Sequence, residues 1–132
     1  LVVRGNCSLV TGIAGKSDNI RIVGIIDRYL EHARIFQFCA AGEDKMFIGS
    51  ADWMPRNLNS RIEVVTPVYD PAIKDDLKRV IDYALRDNQQ GRVVDGTGRN
   101  LPWQTGDEAA PFRSQEALYE YYCNMEAEEA AQ

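Results

Sequence analysis

Histidine is almost missing from this chain of 132 residues: His32 stands alone, and the three cysteines, Cys7, Cys39 and Cys123, are far apart and odd in number. No Cys-x-x-Cys pair occurs, so a zinc site of the Cys/His type is not expected. The same thiols read as free, in a reducing, cytoplasmic compartment. No run of about 18 apolar residues is present, so the sequence offers no transmembrane helix, and no signal peptide is read at its start. A surplus of basic charge is missing too. The net charge is −5, whereas a general nucleic-acid binder is basic, so no nucleic-acid partner is expected. A nucleotide phosphate loop is also lacking. Gly12-Ile13-Ala14-Gly15-Lys16-Ser17 imitates one, but the motif requires a second glycine five residues before Gly15, where Val10 stands.

What remains is an ordinary globular composition, 45% hydrophobic. The length suits one domain and buries roughly two-thirds of the surface of the unfolded chain, with no need of disulfide or metal. Leu1-Val2-Val3 has the look of a strand interior, so the chain is expected to begin inside a longer protein. Charge is unevenly spread. Residues 1–66 carry 8 Lys and Arg against 7 Asp and Glu, net +1, while residues 67–132 carry 7 against 13, net −6. Arginines gathered in the first half suit a defined phosphate site better than a long polyanion-coating surface.

Residues 1–4 predict a short buried strand ending at Arg4, followed by a glycine-bearing loop from Gly5 to Asn19. Ile20–Ile26 is short, apolar and β-branched, as a buried strand would be, although Ser17, Asp18 or Asn19 capping a helix toward Leu30 remains open. Ala33–Phe38 and Lys45–Ile48 predict a hairpin around a turn at Gly42–Asp44. A short turn or single helical turn is expected over Trp53–Asn57, and a strand over Arg61–Pro67 that Pro67 ends. Asp70 and Pro71 then open the clearest helix, with Asp70 as N-cap and an apolar stripe of Ile73, Leu77, Val80, Ile81, Ala84 and Leu85 that should pack on the sheet. Residues 88–111 predict an irregular excursion, having four glycines, two prolines and no periodicity. The segment 112–131 predicts a terminal helix capped by Ser114, with Leu118, Tyr121, Tyr122 and Met125 on its apolar side and an acidic end that frays. Together these elements define an α/β fold, with one mixed sheet flanked by helices.

Candidate chemistry centres on Leu30–Asn57. His32 precedes an apolar strand, and Arg4, Arg28, Arg34, Arg56 and Arg61 lie in or near this stretch in sequence. Guanidinium forks bind phosphate oxygens, and an imidazole carries or donates a proton near neutral pH. On a strand, His32 and Arg34 would point to one face. Gly49-Ser50-Ala51-Asp52 follows, where small residues let backbone amides and a hydroxyl approach an anion. The duller readings are a structural histidine and arginines paired with Asp27, Glu31 or Asp52. Trp53 and Trp103 could stack on adenine, but core packing is the expectation for Trp53.

The order His-x-basic, apolar hairpin, Gly-Ser with a polar residue two on resembles one half of a phospholipase D-type site, with Arg34 in place of that pattern's lysine. A closer resemblance is to bacterial polyphosphate kinase. VRG at residues 3–5, SDNIRIVGIIDRYLEHARIF at 17–36 and GSADWMPRNLNSRIEV at 49–64 resemble successive blocks of that family's C-terminal phospholipase D-like domain, near-continuously from Leu1 to about Arg86. The resemblance implies that residues 1–132 are this last catalytic domain of a larger enzyme, with a phospholipase D-like fold. It implies reversible transfer of the terminal phosphate of ATP to inorganic polyphosphate, through a phosphohistidine that belongs to a preceding domain. His32 matches the assisting active-site histidine, and Arg4 and Arg61 match arginines that contact nucleotide phosphates; Arg34, Ser50 and Arg56 are secondary candidates. The implied cofactor is ATP with Mg2+, which travels with the nucleotide, since no carboxylate cluster here suggests a metal site. The implied partners are ATP and ADP, polyphosphate, the preceding domains and further copies of the chain in a homo-oligomer. The expected location is the cytoplasm, either free or peripheral to the membrane. The rival readings are a phospholipase D-type phosphodiesterase half-domain and a non-catalytic polyanion-binding or assembly domain.

Overall fold

The computed structural model describes residues 1–5, 7–104, 106 and 110–130. Its elements in chain order are β1 (Val2–Val3), β2 (Val23–Ile25), β3 (Ile35–Ala40), β4 (Glu43–Gly49), α1 (Pro55–Asn59), β5 (Val65–Val68), α2 (Pro71–Arg86), β6 (Gly91–Val93) and α3 (Ser114–Ala130). The chain is α/β, as its pattern predicts. The strands, however, form two three-stranded sheets, β1-β2-β6 and β3-β4-β5, where one sheet was expected. The residues fall into two compact units, Leu1–Leu30 with Val80–Gln132, and Glu31–Arg79.

In the first unit the sheet is mixed: β1 runs parallel to β2, and β6 antiparallel to it. Val23 and Ile25 of β2 are buried against Ala84 of α2, with Trp103 packed on the cluster. The Trp103 indole N–H donates to the Leu85 carbonyl at 2.8 Å, so the ring is both packed and satisfied. β1 is less buried than expected, with Leu1 and Val2 exposed, because it is the outer strand and pairs with β2 alone. β6 corrects the reading of 88–111 as wholly irregular. A Cβ at Gly91 would lie 2.2 Å from the Asp87 carbonyl oxygen, so only glycine fits the tight return from α2 into this strand.

Ser114 is the first residue of α3 and not its cap. The cap comes from Asp87, whose Oδ2 accepts from the Ser114 amide at 2.8 Å and from its hydroxyl at 2.7 Å. Asp87 Oδ1 accepts from the amides of Gln89 and Gln90 at 3.0 and 2.7 Å. Burial alone would raise the pKa of this carboxyl, but its four hydrogen bonds outweigh burial and hold it below the ordinary value. α3 continues through its acidic run to Ala130, where fraying was expected; the predicted end at Ala131 lies outside the described residues. Leu118 and Tyr121 are half-buried, whereas Tyr122 and Met125 are exposed.

The second unit is built on the hairpin of β3 and β4, registered from Ile35 opposite Ile48 to Ala40 opposite Glu43. That register leaves a two-residue turn, Ala41-Gly42, with φ of 53° and 96°. The turn lies earlier than the predicted 42–44, because two left-handed residues in succession match the twist of the paired strands. β5 pairs with β4 on the open side, and Pro67 stands opposite Phe47. Pro67 therefore lies within the strand and does not end it, which an edge strand tolerates because the missing N–H faces outward. Arg61–Val64, predicted as strand, is irregular. α2 begins as expected: Asp70 Oδ1 accepts from the amides of Ala72 and Ile73 at 2.8 and 3.2 Å. Of its predicted stripe, Ala84 is buried, Leu77, Val80 and Ile81 are half-buried, and Ile73 and Leu85 are exposed.

Candidate phosphate-binding site

His32 lies three residues before β3, in irregular chain, and its side chain is exposed. The predicted shared strand face for His32 and Arg34 is therefore not formed. Arg34 turns back instead. Its Nε and Nη2 donate to Asp52 Oδ1 at 3.0 and 2.8 Å, and its Nη1 donates to the His32 carbonyl at 2.7 Å. The structural alternative for this arginine is the one observed. Its charge is matched by Asp52, and its Nη1 fixes the backbone of His32, which suits a scaffold more than a phosphate ligand.

Gly49-Ser50 is likewise committed. The amides of Gly49 and Ser50 donate to the carbonyls of Arg34 and Val64 at 3.1 and 3.0 Å. The Ser50 hydroxyl donates to Glu63 Oε2 and accepts from the Val64 amide at 3.2 Å. Glu63 Oε1 accepts from Asn57 Nδ2 at 2.7 Å. The hydrogen bonds from Ser50 and Asn57 hold the Glu63 carboxyl below its ordinary pKa, with the Arg61 and Arg34 charges assisting. An ionised carboxylate thus occupies the place beside Ser50 that an anion was expected to take. Asn57 is buried, and its Oδ1 has no hydrogen-bond partner among the described residues. Glu63 and Asn57 went unmarked in the sequence; the only signal was the alternation of charge in Arg61-Ile62-Glu63.

Arg61 and Arg56 are both exposed, Arg56 on α1. Trp53 is not core: it is 72% exposed and stacks on Phe36, with centroids 6.0 Å apart and planes 13° from parallel. Arg28 rests over the Tyr29 ring at 5.4 Å.

Arg4 belongs to the first unit, and His32, Arg34, Ser50, Arg56 and Arg61 to the second. Arg4 is exposed, and its Nη1 donates to the Tyr29 carbonyl at 2.7 Å. The segment it meets is anchored by the start of α3. Arg113 forks onto Asp27, Nε to Oδ2 at 2.9 Å and Nη2 to Oδ1 at 2.5 Å, and this pair holds the Asp27 carboxyl below its ordinary pKa. Neither Arg113 nor Gln115 was marked as functional in the sequence, since their partners lie 86 positions away.

Exposed guanidiniums can neutralise anionic oxygens and an exposed imidazole can exchange a proton, so these side chains are able to meet a phosphate. Comparison with known proteins names the family. The model of the polyphosphate kinase C-terminal domain 2 matches residues 1–115, and the chain belongs to that family. It is 45% identical over 119 residues to a polyphosphate kinase of Rhodopirellula baltica, covering 90% of this chain and 14% of that protein. It is 42% identical over 129 residues to the polyphosphate kinase of Escherichia coli K12, covering 98% of this chain and 19% of that one. The solved structure of polyphosphate kinase from Porphyromonas gingivalis superposes with a TM-score of 0.80 at 38% identity, covering 89% of this chain and 18% of the other. The chain thus spans less than a fifth of the length of these relatives. Among the described residues, no helix is long and apolar enough to cross a membrane, and no three His, Cys, Asp or Glu side chains gather to hold a metal ion.

Proposed function

We propose that residues 1–132 are the last catalytic domain of a polyphosphate kinase, which moves the terminal phosphate of ATP to and from inorganic polyphosphate. In this reading a histidine of a preceding domain attacks the γ-phosphorus, the bond to the ADP oxygen breaks, and the phosphohistidine then passes its phosphoryl group to the end of a polyphosphate chain. His32 assists by exchanging a proton or by stabilising the group in transit. Arg4 and Arg61 neutralise the equatorial and bridging oxygens, where charge accumulates in an in-line transfer. Magnesium enters as part of the MgATP substrate; the residues offered here are cations that complement phosphate, not carboxylates that ligate a metal. The parent enzyme works in the cytoplasm as a homo-oligomer.

The observation that carries the proposal is the family match over residues 1–115. Arg4, His32 and Arg61 are all exposed, while Arg34 and Ser50 are taken up by Asp52 and Glu63. The full-length parent is expected to convert ATP into acid-insoluble polyphosphate, and the isolated 132-residue chain to transfer none. Phosphodiester cleavage without polyphosphate synthesis would replace this reading with the phospholipase D-type one.

A further inference from the structure

Arg4 is an exposed side chain on a loop, yet its guanidinium is not left to roam. It donates to the Tyr29 carbonyl at 2.7 Å, and that carbonyl also accepts from Gln115 Nε2 at 2.9 Å. A carbonyl oxygen has two lone pairs, so both donors are accommodated at once. Gln115 Oε1 in turn accepts from the Tyr29 amide at 2.9 Å. One side-chain amide therefore grips both backbone polar groups of a single residue, as a neighbouring strand would.

The grip is itself anchored. Gln115 is only 9% exposed and is the second residue of α3. The residue before it, Ser114, is bonded by amide and hydroxyl to buried Asp87, and the one before that, Arg113, is forked onto Asp27. Three consecutive residues thus fix the start of the helix and the segment 27–29 together, and Arg4 is bonded to the end of that segment. A glutamine placed only to fill space would not need both ends of its amide engaged with one residue.

We infer that Gln115 is a positioning residue for Arg4: it holds the Tyr29 carbonyl, and that carbonyl orients the guanidinium so that its remaining N–H groups present to a phosphate. The inference rests on the reading of Arg4 as a phosphate contact. A guanidinium already held in place loses less freedom on meeting its ligand, so the contribution of Gln115 appears in ATP binding more than in turnover.

The test is a double-mutant cycle in the full-length enzyme, with ATP as the varied substrate and Gln115→Met and Arg4→Met made singly and together. Gln115→Met is expected to lower kcat/KM for ATP about tenfold, mainly through KM, and by less than about twofold once Arg4 is already methionine. An equal loss in both backgrounds would show a structural role and overturn the inference. So would an unchanged Gln115→Met enzyme beside a crippled Arg4→Met one. If Arg4→Met itself leaves kcat/KM unchanged, the reading of Arg4 has failed. The crystal structure of the Gln115→Met enzyme then judges the positioning alone: a displaced Arg4 guanidinium supports it, and an undisturbed bond to Tyr29 overturns it. Should Gln115→Met not accumulate, Gln115→Leu removes the same donor and acceptor without adding a charge beside Arg4, with the same expectations.

Discussion

Each unit has a carboxylate at the centre of a polar network, and the two networks differ in completeness. Asp87 is fully buried and accepts from four donors, all within the first unit. Glu63 is half-buried and accepts from Ser50 and from Asn57, whose Oδ1 has no partner among the described residues, and an exposed arginine stands two residues before it. The first network closes a fold: it joins the end of one helix to the start of another. The second supports a surface, keeping Ser50 and the 49–63 segment in place while Arg56, Arg61 and His32 face solvent. A buried charge of the first kind is a matter of stability; chemistry is to be sought among the exposed side chains, Arg4 in the first unit and Arg56, Arg61 and His32 in the second.

The largest expected effect lies on the open side of this contrast. His32→Ala in the full-length parent should lower polyphosphate synthesis about 10²–10⁴-fold, the usual range for losing an acid–base group, with thermal stability unchanged. Turnover at the parent's level would end the catalytic assignment and favour a binding or assembly role. Next comes the closed side. Asp87→Ala strands the amides of Gln89, Gln90 and Ser114 and should cost this chain about 3 kcal/mol of unfolding free energy, read by denaturant titration. Glu63→Ala is expected to shift the midpoint less; a shift as large as that of Asp87→Ala would erase the distinction between the networks. The smallest effect is the pH dependence. The folded pKa of Asp87 is lowered, so its contribution is complete above the unfolded value of about 3.9 and disappears as pH falls through the folded value. The stability gap between the chain and its Asp87→Asn variant should therefore be flat from pH 7 to 5 and narrow only in stronger acid, and a gap that narrows near neutrality would contradict the assignment.

Local signals were legible in the sequence, and distant ones were not. Asp70-Pro71 announced the start of α2 because cap and helix are adjacent, and the hairpin was readable from its apolar runs. Its turn was misplaced because Ala41, an ordinary residue in composition, adopts a left-handed conformation there. β6 was hidden because three residues beginning with glycine carry no periodicity, and their strand identity comes entirely from pairing with β2. Asp87 looked like a polar residue after a helix; nothing near it points to Ser114, 27 positions on. Of the site candidates, His32, Arg4 and Arg61 rest on blocks of resemblance and stand as proposals, while the burden carried by Arg34 could be read only as far as naming Asp52 as a ready partner. Trp53 was misjudged because a large aromatic is usually covered, and here one ring face rests on Phe36 while most of the residue meets solvent.

Pro67 has a further consequence. β5 is the outermost strand of its sheet, and an open row of amides and carbonyls invites a strand from another molecule. With proline at its third position, that row lacks a donor in the middle, so an incoming strand cannot complete its ladder. The residue read from sequence as an end to the strand acts instead as a safeguard against self-association, and Pro67→Val should make the protein more prone to aggregate on heating without loosening the hairpin it borders.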